Sequence, residues 1–285
     1  MKTAPLELLS PAKLNLFLHV TGRGADGYHH LQTLFQLLDW GDHMTFRANH
    51  SGKVQLQLEG LAVPPGDNLI LRAAALLARP GYGVDIHCRK RIPLGGGLGG
   101  GSSNAATTLL ALNHLWRLDI SQAELRTLGR SLGADVPVFV AGHTAWAEGI
   151  GEVLTPVTLP ECWYLIIHPG CHVPTAEIFS APELTRDSLP ITIAAFFGDT
   201  SRNDCEKVVT RRFPEVEKAL NWLSPHAEAR LTGTGACVFA RFASEAEAQR
   251  VAATVPREWQ HFVARGVDQS PVHTRLQALQ EADSH

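Results

Sequence analysis

The chain has 285 residues, 45% of them apolar and 19% charged, with a net charge of -3. That much apolar material fills one large domain or two ordinary ones and excludes wholesale disorder. The near-neutral balance argues against a generally basic nucleic-acid binder, although a local basic patch is compatible with it.

From Ala12 to Val20 apolar residues alternate, with Ala12, Leu14, Leu16, Leu18 and Val20 on one face and Lys13, Asn15, Phe17 and His19 on the other. A period of two predicts a strand with one core face and one usable face. "TGRGADGYHH" reads as a loop, and 32–40 and 43–48 read as strands around a Gly-Asp turn. "DNLILRAAALLAR" predicts a helix opened by Asp67 or Asn68 and stopped by Pro80-Gly81. A short strand over 84–88 leads through Arg89-Lys90-Arg91 into "PLGGGLGGGSSNAA", then a helix capped by Ser102 or Ser103. Ser121 and Glu124 form a capping box for a second helix that stops at Gly133, and "GADVPVF" places Asp135 as a cap before Pro137. Strand-like stretches resume at "TAWAEG" and "GEVLTPV". Prolines between Thr155 and Glu161 mark a boundary that divides the chain into 1–156 and 157–285.

In the second half "WYLIIHPG" reads as a strand and "PTAEIF" as a helix start. "DCEKVVTRRFPEVEKALNWL" reads as an amphipathic helix broken or kinked at Pro214. "RLTGTGACVFARF" reads as strand, glycine loop, strand; "SEAEAQRVAATV" as a helix; "HFVARGV" as a closing strand. Strands and helices interleave without a strict βαβ rhythm, so the fold class is α+β. Cys88, Cys162, Cys171, Cys205 and Cys237 form neither CxxC pairs nor zinc spacings, which points to a reduced, cytoplasmic chain. The N-terminus lacks the apolar run of a signal peptide, and no window is apolar enough to span a membrane. The "NHS" triplet at Asn49 therefore reads as chance.

The glycine run after Pro93 carries the chemistry. Gly95, Gly97 and Gly100 satisfy G-x-G-x-x-G, with Asp119 roughly where a ribose-binding acid would be sought. That fingerprint belongs in a tight turn directly after a strand, and here Arg89–Pro93 intervene. No Gly-Lys-Ser/Thr follows, which excludes a Walker loop. A flexible hairpin or a close helix–sheet contact rarely needs so many adjacent glycines. A phosphate cradle does need them: bare backbone amides approach an anion, a helix N-terminus adds donors, and Arg89, Lys90 and Arg91 raise the local potential.

"PLGGGLGGGSSNAA" resembles the central motif of the GHMP kinases. "SPAKLNLFLHVTGRGADGYHHLQTLFQLLDWGD" is similar to their first motif and "RLTGTGACVFA" to their third, in the same order along almost the whole chain. Within the superfamily, "AKLNLFL", "DGYH", "TLFQ", "GADVPVF" and "NDCE" most resemble the branch whose alcohol substrate is 4-diphosphocytidyl-2-C-methyl-D-erythritol. The resemblance implies an N-terminal half like domain 2 of ribosomal protein S5 and a ferredoxin-like C-terminal half, with a cleft between them. It implies transfer of the γ-phosphoryl group of ATP, accompanied by Mg²⁺, to the substrate's 2-hydroxyl in the non-mevalonate isoprenoid route.

Residue by residue, Asp135 matches the family's general base, although its position also suits a helix cap. Lys13 matches the catalytic lysine; its ammonium would pair with Asp135 and favour loss of the hydroxyl proton. Asn15, on the same strand face, would orient the hydroxyl or a phosphate. Tyr28 and His29 match the cytidine site, with Phe179 across the ring and Thr175 contacting substrate; local packing is the bland alternative for the aromatics. The nucleotide would be wrapped by Pro93, Leu94, Gly95, Gly96, Gly97, Leu98, Gly99, Gly100, Gly101, Ser102 and Ser103, with Asn104 nearby and Asn68 and Lys90 near adenine and its sugar. Ser102 or Ser103 would touch Mg²⁺. "TGTGAC" would line substrate phosphates or support the first glycine loop, with Cys237 as packing; His30 has no assigned role. The partner expected is the small molecule alone, without nucleic acid or membrane, for a monomer or homodimer. Two rivals stay open: a homoserine- or mevalonate-type kinase, which has no pyrimidine to read, and a non-catalytic nucleotide-binding module, which needs neither Lys13 nor Asp135.

Overall fold

Two long antiparallel strands, β1 (Leu6–Arg23) and β2 (His29–Asn49), form the spine of the computed structural model, which describes residues 4–24, 27, 29–49, 51–60, 66, 68–197 and 202–283. There follow β3 (Val54–Glu59), α1 (Leu69–Leu76), β4 (Gly83–Arg89), α2 (Gly100–Leu115), α3 (Gln122–Arg130), α4 (Val136–Ala141), β5 (Ala145–Glu148) and β6 (Val153–Pro156). The second half contains β7 (Trp163–His168), α5 (Thr175–Ser180), α6 (Ile193–Phe197), α7 (Glu206–Arg212), α8 (Pro214–Leu223), β8 (Ala229–Leu231), β9 (Val238–Phe242), α9 (Glu245–Ala252), β10 (Gln260–Val267) and α10 (Pro271–Asp283). The mixture is α+β, as the irregular alternation of strands and helices predicts.

The sheet runs in the order β3-β4-β2-β10-β7-β9-β8, with β1 and β5 also paired to β2. β10 is its joint. Gln260–Arg265 pair with β7, and Gly266 and Val267 pair with Leu38 and Leu37 of β2. One core lies under α1, α2, α4 and α10 in the N-terminal half, and a second under α7, α8 and α9 in the C-terminal half. A third cluster, with Leu14, Phe17, Leu34, Leu98, Tyr164 and Phe239, fills the space between them. The last helix crosses back: Val272 and Leu276 of α10 belong to the N-terminal core, while Leu18 and Val20 of β1 belong to the C-terminal one.

Three local expectations change. The second face of β1 is not open: Lys13, Asn15, Phe17 and His19 are all buried, because the glycine loop and the C-terminal half cover it. Gly41-Asp42 is not a turn; β2 runs straight through it, paired with Pro11 and Ser10. Gly41 is needed for close approach, since a Cβ there would land inside the Ser10 carbonyl. Asp42 is fully buried and accepts hydrogen bonds from the amides of Arg91 (2.6 Å) and Ile92 (2.9 Å). The cap of α2 is Gly99, not a serine, and no side chain caps that end. Asn68 caps α1 through the amides of Ile70 and Leu71; Asp67, its alternative, lies outside the described residues. Pro214 breaks the amphipathic segment into α7 and α8, and the Ser121–Glu124 capping box is formed.

Gly41→Ala is expected to cost about 3 kcal/mol in chemical denaturation, the upper range for overpacking. Gly66→Ala, where an added methyl meets open space, should stay within about 0.5 kcal/mol of the parent. Equal losses from the two would contradict the close-approach account of Gly41.

Candidate active site

β1, the segment between β4 and α2, the start of α4, the start of α5 and the β8–β9 loop converge on a cleft of about 400 Å³. Its floor is the part of β1 that carries Lys13 and Asn15.

The glycine segment is tied down by its carbonyls. Gly95 O accepts from the Ala236 amide (3.0 Å), Gly96 O from the Cys237 amide (3.1 Å), Gly97 O from Lys13 Nζ (3.0 Å) and Leu98 O from the Lys13 amide (3.1 Å). Gly97 has φ +73°, and a side chain there would drive into the Thr232 carbonyl. With the carbonyls turned to protein, the amides are left over. Those of Gly97 to Ser102 make no hydrogen bond among the described residues, and the last of them open α2 without a side-chain cap. Consecutive free amides at the positive end of a helix of 16 residues make an anion cradle.

Beside the cradle, Lys13 Nζ lies 3.3 Å from Asp135 Oδ2, with side-chain exposures of 4% and 34%. The ammonium donates to Asn15 Oδ1 and Gly97 O and forms an ion pair with Asp135, and the Phe35 ring centroid is 5.3 Å away. Asn15 is fixed in turn: its amide side chain donates to Thr33 Oγ1 (2.9 Å) and its backbone amide to Thr232 Oγ1 (3.0 Å). Asp135 holds the cap position of α4 but makes no cap hydrogen bond; its carboxylate faces Lys13. A half-exposed carboxylate and a buried, fully paired ammonium beside an anion cradle suit proton removal from a hydroxyl next to a bound phosphate.

Comparison with known proteins decides the family. The model for the GHMP kinases N terminal domain matches residues 68–143, and that for GHMP kinases C terminal matches 191–261. The 4-diphosphocytidyl-2-C-methyl-D-erythritol kinase of Hahella chejuensis is 52% identical over 290 residues, covering 97% of this chain and 98% of the relative. That of Pseudomonas paraeruginosa is 55% identical over 277 residues, covering 96% and 98%. A crystal structure of 4-(cytidine 5'-diphospho)-2C-methyl-D-erythritol kinase superimposes with a TM-score of 0.79 at 35% identity, over 92% of this chain and 99% of that one. The chain belongs to the 4-diphosphocytidyl-2-C-methyl-D-erythritol kinase family. It is an ATP-dependent small-molecule kinase with the two-domain GHMP kinase fold. A mevalonate kinase structure at 17% identity and TM-score 0.64 shares that fold.

The cleft brings together Lys13, Asn15, Lys90, Pro93 to Ser102, Asp135, Thr175 and Phe179. Ser103 and Asn104 lie behind its wall: Ser103 Oγ bonds Ser10 Oγ (2.8 Å), and Asn104 bonds Ser10, Asp42 and Lys90. Asn68 is buried as the α1 cap, and the neighbouring Leu69 reaches the cleft instead. The Lys90 ammonium is engaged by Asp42 and Asn104. Tyr28 lies outside the described residues. His29 stacks directly on Phe179, ring centroids 5.1 Å apart, and Thr175 Oγ1 is 2.9 Å from Thr234 Oγ1. Asp119 lines no part of the cleft.

Sequence reading missed several supports. Arg186 donates to His29 Nε2 at 3.1 Å. Asn203 donates to the carbonyls of Leu231 (2.9 Å) and Gly233 (2.8 Å), so "NDCE" shapes the second glycine loop from behind. Asp204 accepts from the Val20 amide (2.8 Å) and anchors the end of β1. The His172 ring stands where a side chain on Gly95 would be.

Three histidines, His19, His29 and His168, have their imidazoles pushed below the ordinary value. Burial, then the Arg186 and Arg23 guanidiniums, push the His29 imidazole below its ordinary 6.5. Burial, then His172, lowers His168, whose Nε2 is buried without a partner among the described residues, and burial lowers His19, both of whose ring nitrogens lack a partner among them. With folded values below the unfolded value, the unfolded chain binds more protons as pH falls through 6.5, so stability is lost there. Scanning calorimetry should show a melting temperature level above pH 7.5 that declines below pH 6.5, with His168→Gln flattening part of the decline. A flat profile down to pH 5.5 would contradict this.

Proposed function

We propose that the chain phosphorylates the 2-hydroxyl of 4-diphosphocytidyl-2-C-methyl-D-erythritol with ATP, and that Asp135 is the general base. The observation that carries this is the Lys13–Asp135 pair at 3.3 Å beside the free amides of Gly97 to Ser102. The name of the relatives supplies the substrate.

In this reading the polyphosphate lies on the amides between Gly97 and Ser102, and the adenosine end rests against Leu69, Pro93 and Leu94, with Asn68 and Lys90 bracing that wall. The substrate hydroxyl lies between Asp135 and the γ-phosphorus. Asp135 takes its proton as the new O–P bond forms. The Lys13 ammonium offsets the charge that develops on the attacking oxygen, and Asn15 orients that oxygen. Phe179 is the pyrimidine wall, a role the family resemblance also gives to Tyr28 and His29, and Thr175 contacts the substrate from the C-terminal half.

Mg²⁺ would arrive with the nucleotide, neutralising phosphate charge. The cleft suits an ion of that kind: it offers the Ser102 hydroxyl and the Asp135 carboxylate, while no cluster of three metal-ligating side chains exists among the described residues. Residues 1–156 and 157–285 are the proposed domains, with α10 docked back on the first. No helix among the described residues is long and apolar enough to cross a membrane.

An ADP-release assay should show turnover with the cytidylyl alcohol and none with mevalonate or homoserine; turnover of either of those would overturn the substrate reading. Asp135→Asn should lower kcat about 10³-fold while the Kd for ATP stays within about threefold. Near-normal kcat in that variant would remove Asp135 as the base.

A further inference from the structure

Thr33 opens the "TLFQ" segment, and its side chain meets that of Asn15 across the first two strands. Between Asn15 and Leu18 the pairing of those strands slips: Asn15 faces Phe35 and Leu18 faces Thr33, so β1 carries one residue more than β2 over that span. A bulge of this kind re-aims the groups around it. Here the Thr33 hydroxyl donates to the Phe17 carbonyl inside the bulge and accepts from Asn15 Nδ2 at 2.9 Å. Both side chains are buried, and both residues line the cleft.

We propose that Thr33 is a positioning residue that holds the Asn15 carboxamide in one orientation, leaving it a single N–H to donate to the attacking oxygen of the substrate. The inference rests on the catalytic reading above. A threonine hydroxyl has one proton, and the Phe17 carbonyl takes it, so toward Asn15 the hydroxyl can only accept. An ammonium only donates, so the Asn15 atom that faces Lys13 is the oxygen. The flipped amide is therefore forbidden at both ends: its NH₂ would face an ammonium, and its carbonyl the lone pair of a hydroxyl. One Nδ2 proton belongs to Thr33, and the other is the side-chain donor that Asn15 keeps free among the described residues.

A donor at the attacking oxygen decides where the substrate's own hydroxyl proton points. The oxygen accepts from Asn15 with a lone pair, so its proton turns to the other neighbour, the Asp135 carboxylate. An amide free to flip would at times offer that proton a carbonyl, in competition with the base.

The test is a double-variant cycle read by steady-state kinetics on the cytidylyl alcohol. Thr33→Val keeps the branched shape and removes the hydroxyl; kcat should fall about tenfold, the size of one lost hydrogen bond, while KM for ATP changes less than about twofold. Thr33→Ser, which restores the hydroxyl, should return kcat to within about threefold of the parent. Asn15→Ala should slow turnover more than Thr33→Val does, and adding Thr33→Val to it should cost less than about a further twofold, because no amide remains to be held. If Thr33→Val fails to fold, Thr33→Cys, whose thiol keeps a weak donor for the Phe17 carbonyl but is a poor acceptor, should fold and lose kcat to the same extent. Losses that multiply in the double variant, or a folded variant without the hydroxyl whose kcat lies within about twofold of the parent, sink the proposal and leave Asp135 as base untouched. A rise in KM for ATP as large as the fall in kcat also sinks it, since Thr33 would then be a general support of the sheet. Near-normal kcat in Asn15→Ala removes Asn15 from the mechanism and Thr33 with it.

Discussion

A buried ammonium organises this molecule. An amine 4% exposed is tolerated only if each of its protons has an acceptor, because an unpaired charge in that position costs several kcal/mol. Lys13 meets the demand with two hydrogen-bond acceptors and one counter-charge from three separate places: its own strand through Asn15, the glycine segment through Gly97, and the α4 terminus through the Asp135 carboxylate. Folding around that cation and bringing Asn15, Gly97 and Asp135 together are therefore the same event. The Asp135 carboxylate, the glycine segment and the Asn15 amide are held in register because they share one positive charge.

The two glycine-rich stretches complete the arrangement by dividing the backbone's polarity. The β8–β9 loop donates its Ala236 and Cys237 amides to the carbonyls of the first stretch, while Asn203 holds the carbonyls of Leu231 and Gly233. Carbonyls that would repel a phosphate are thus turned inward, and N–H groups are left for the cleft. Side chains at Gly96 or Gly97 would collide with Cys237 or Thr232, so glycine is required for contact between the two loops as much as for room at a ligand.

Much of this is legible in the sequence. The strand at β1, the capping box at Ser121 and the break at Pro214 all rest on local chemistry, and local chemistry decided them. Two elements carried readable patterns that were passed over: β3 alternates as VQLQLE, and Val272, Leu276 and Leu279 mark the buried stripe of α10. Other features left no local trace. Gly41-Asp42 looks like a turn, and only the partner strand and the Arg91 and Ile92 amides reveal a close approach with a buried acceptor. Arg186 acts through backbone carbonyls and one imidazole, contacts that no spacing encodes. The Lys13–Asp135 pairing spans most of the first half of the chain; the family resemblance pointed to it, and strand period alone did not.

β10 has a mechanical consequence. The same strand is hydrogen-bonded to β7 on the C-terminal side and to β2 on the N-terminal side, and α10 then latches onto the opposite half. A jaw-like swing of one half against the other would tear that ladder and prise out a packed helix. The strand and the helix thus make the two halves share one sheet and one core instead of meeting only through a linker.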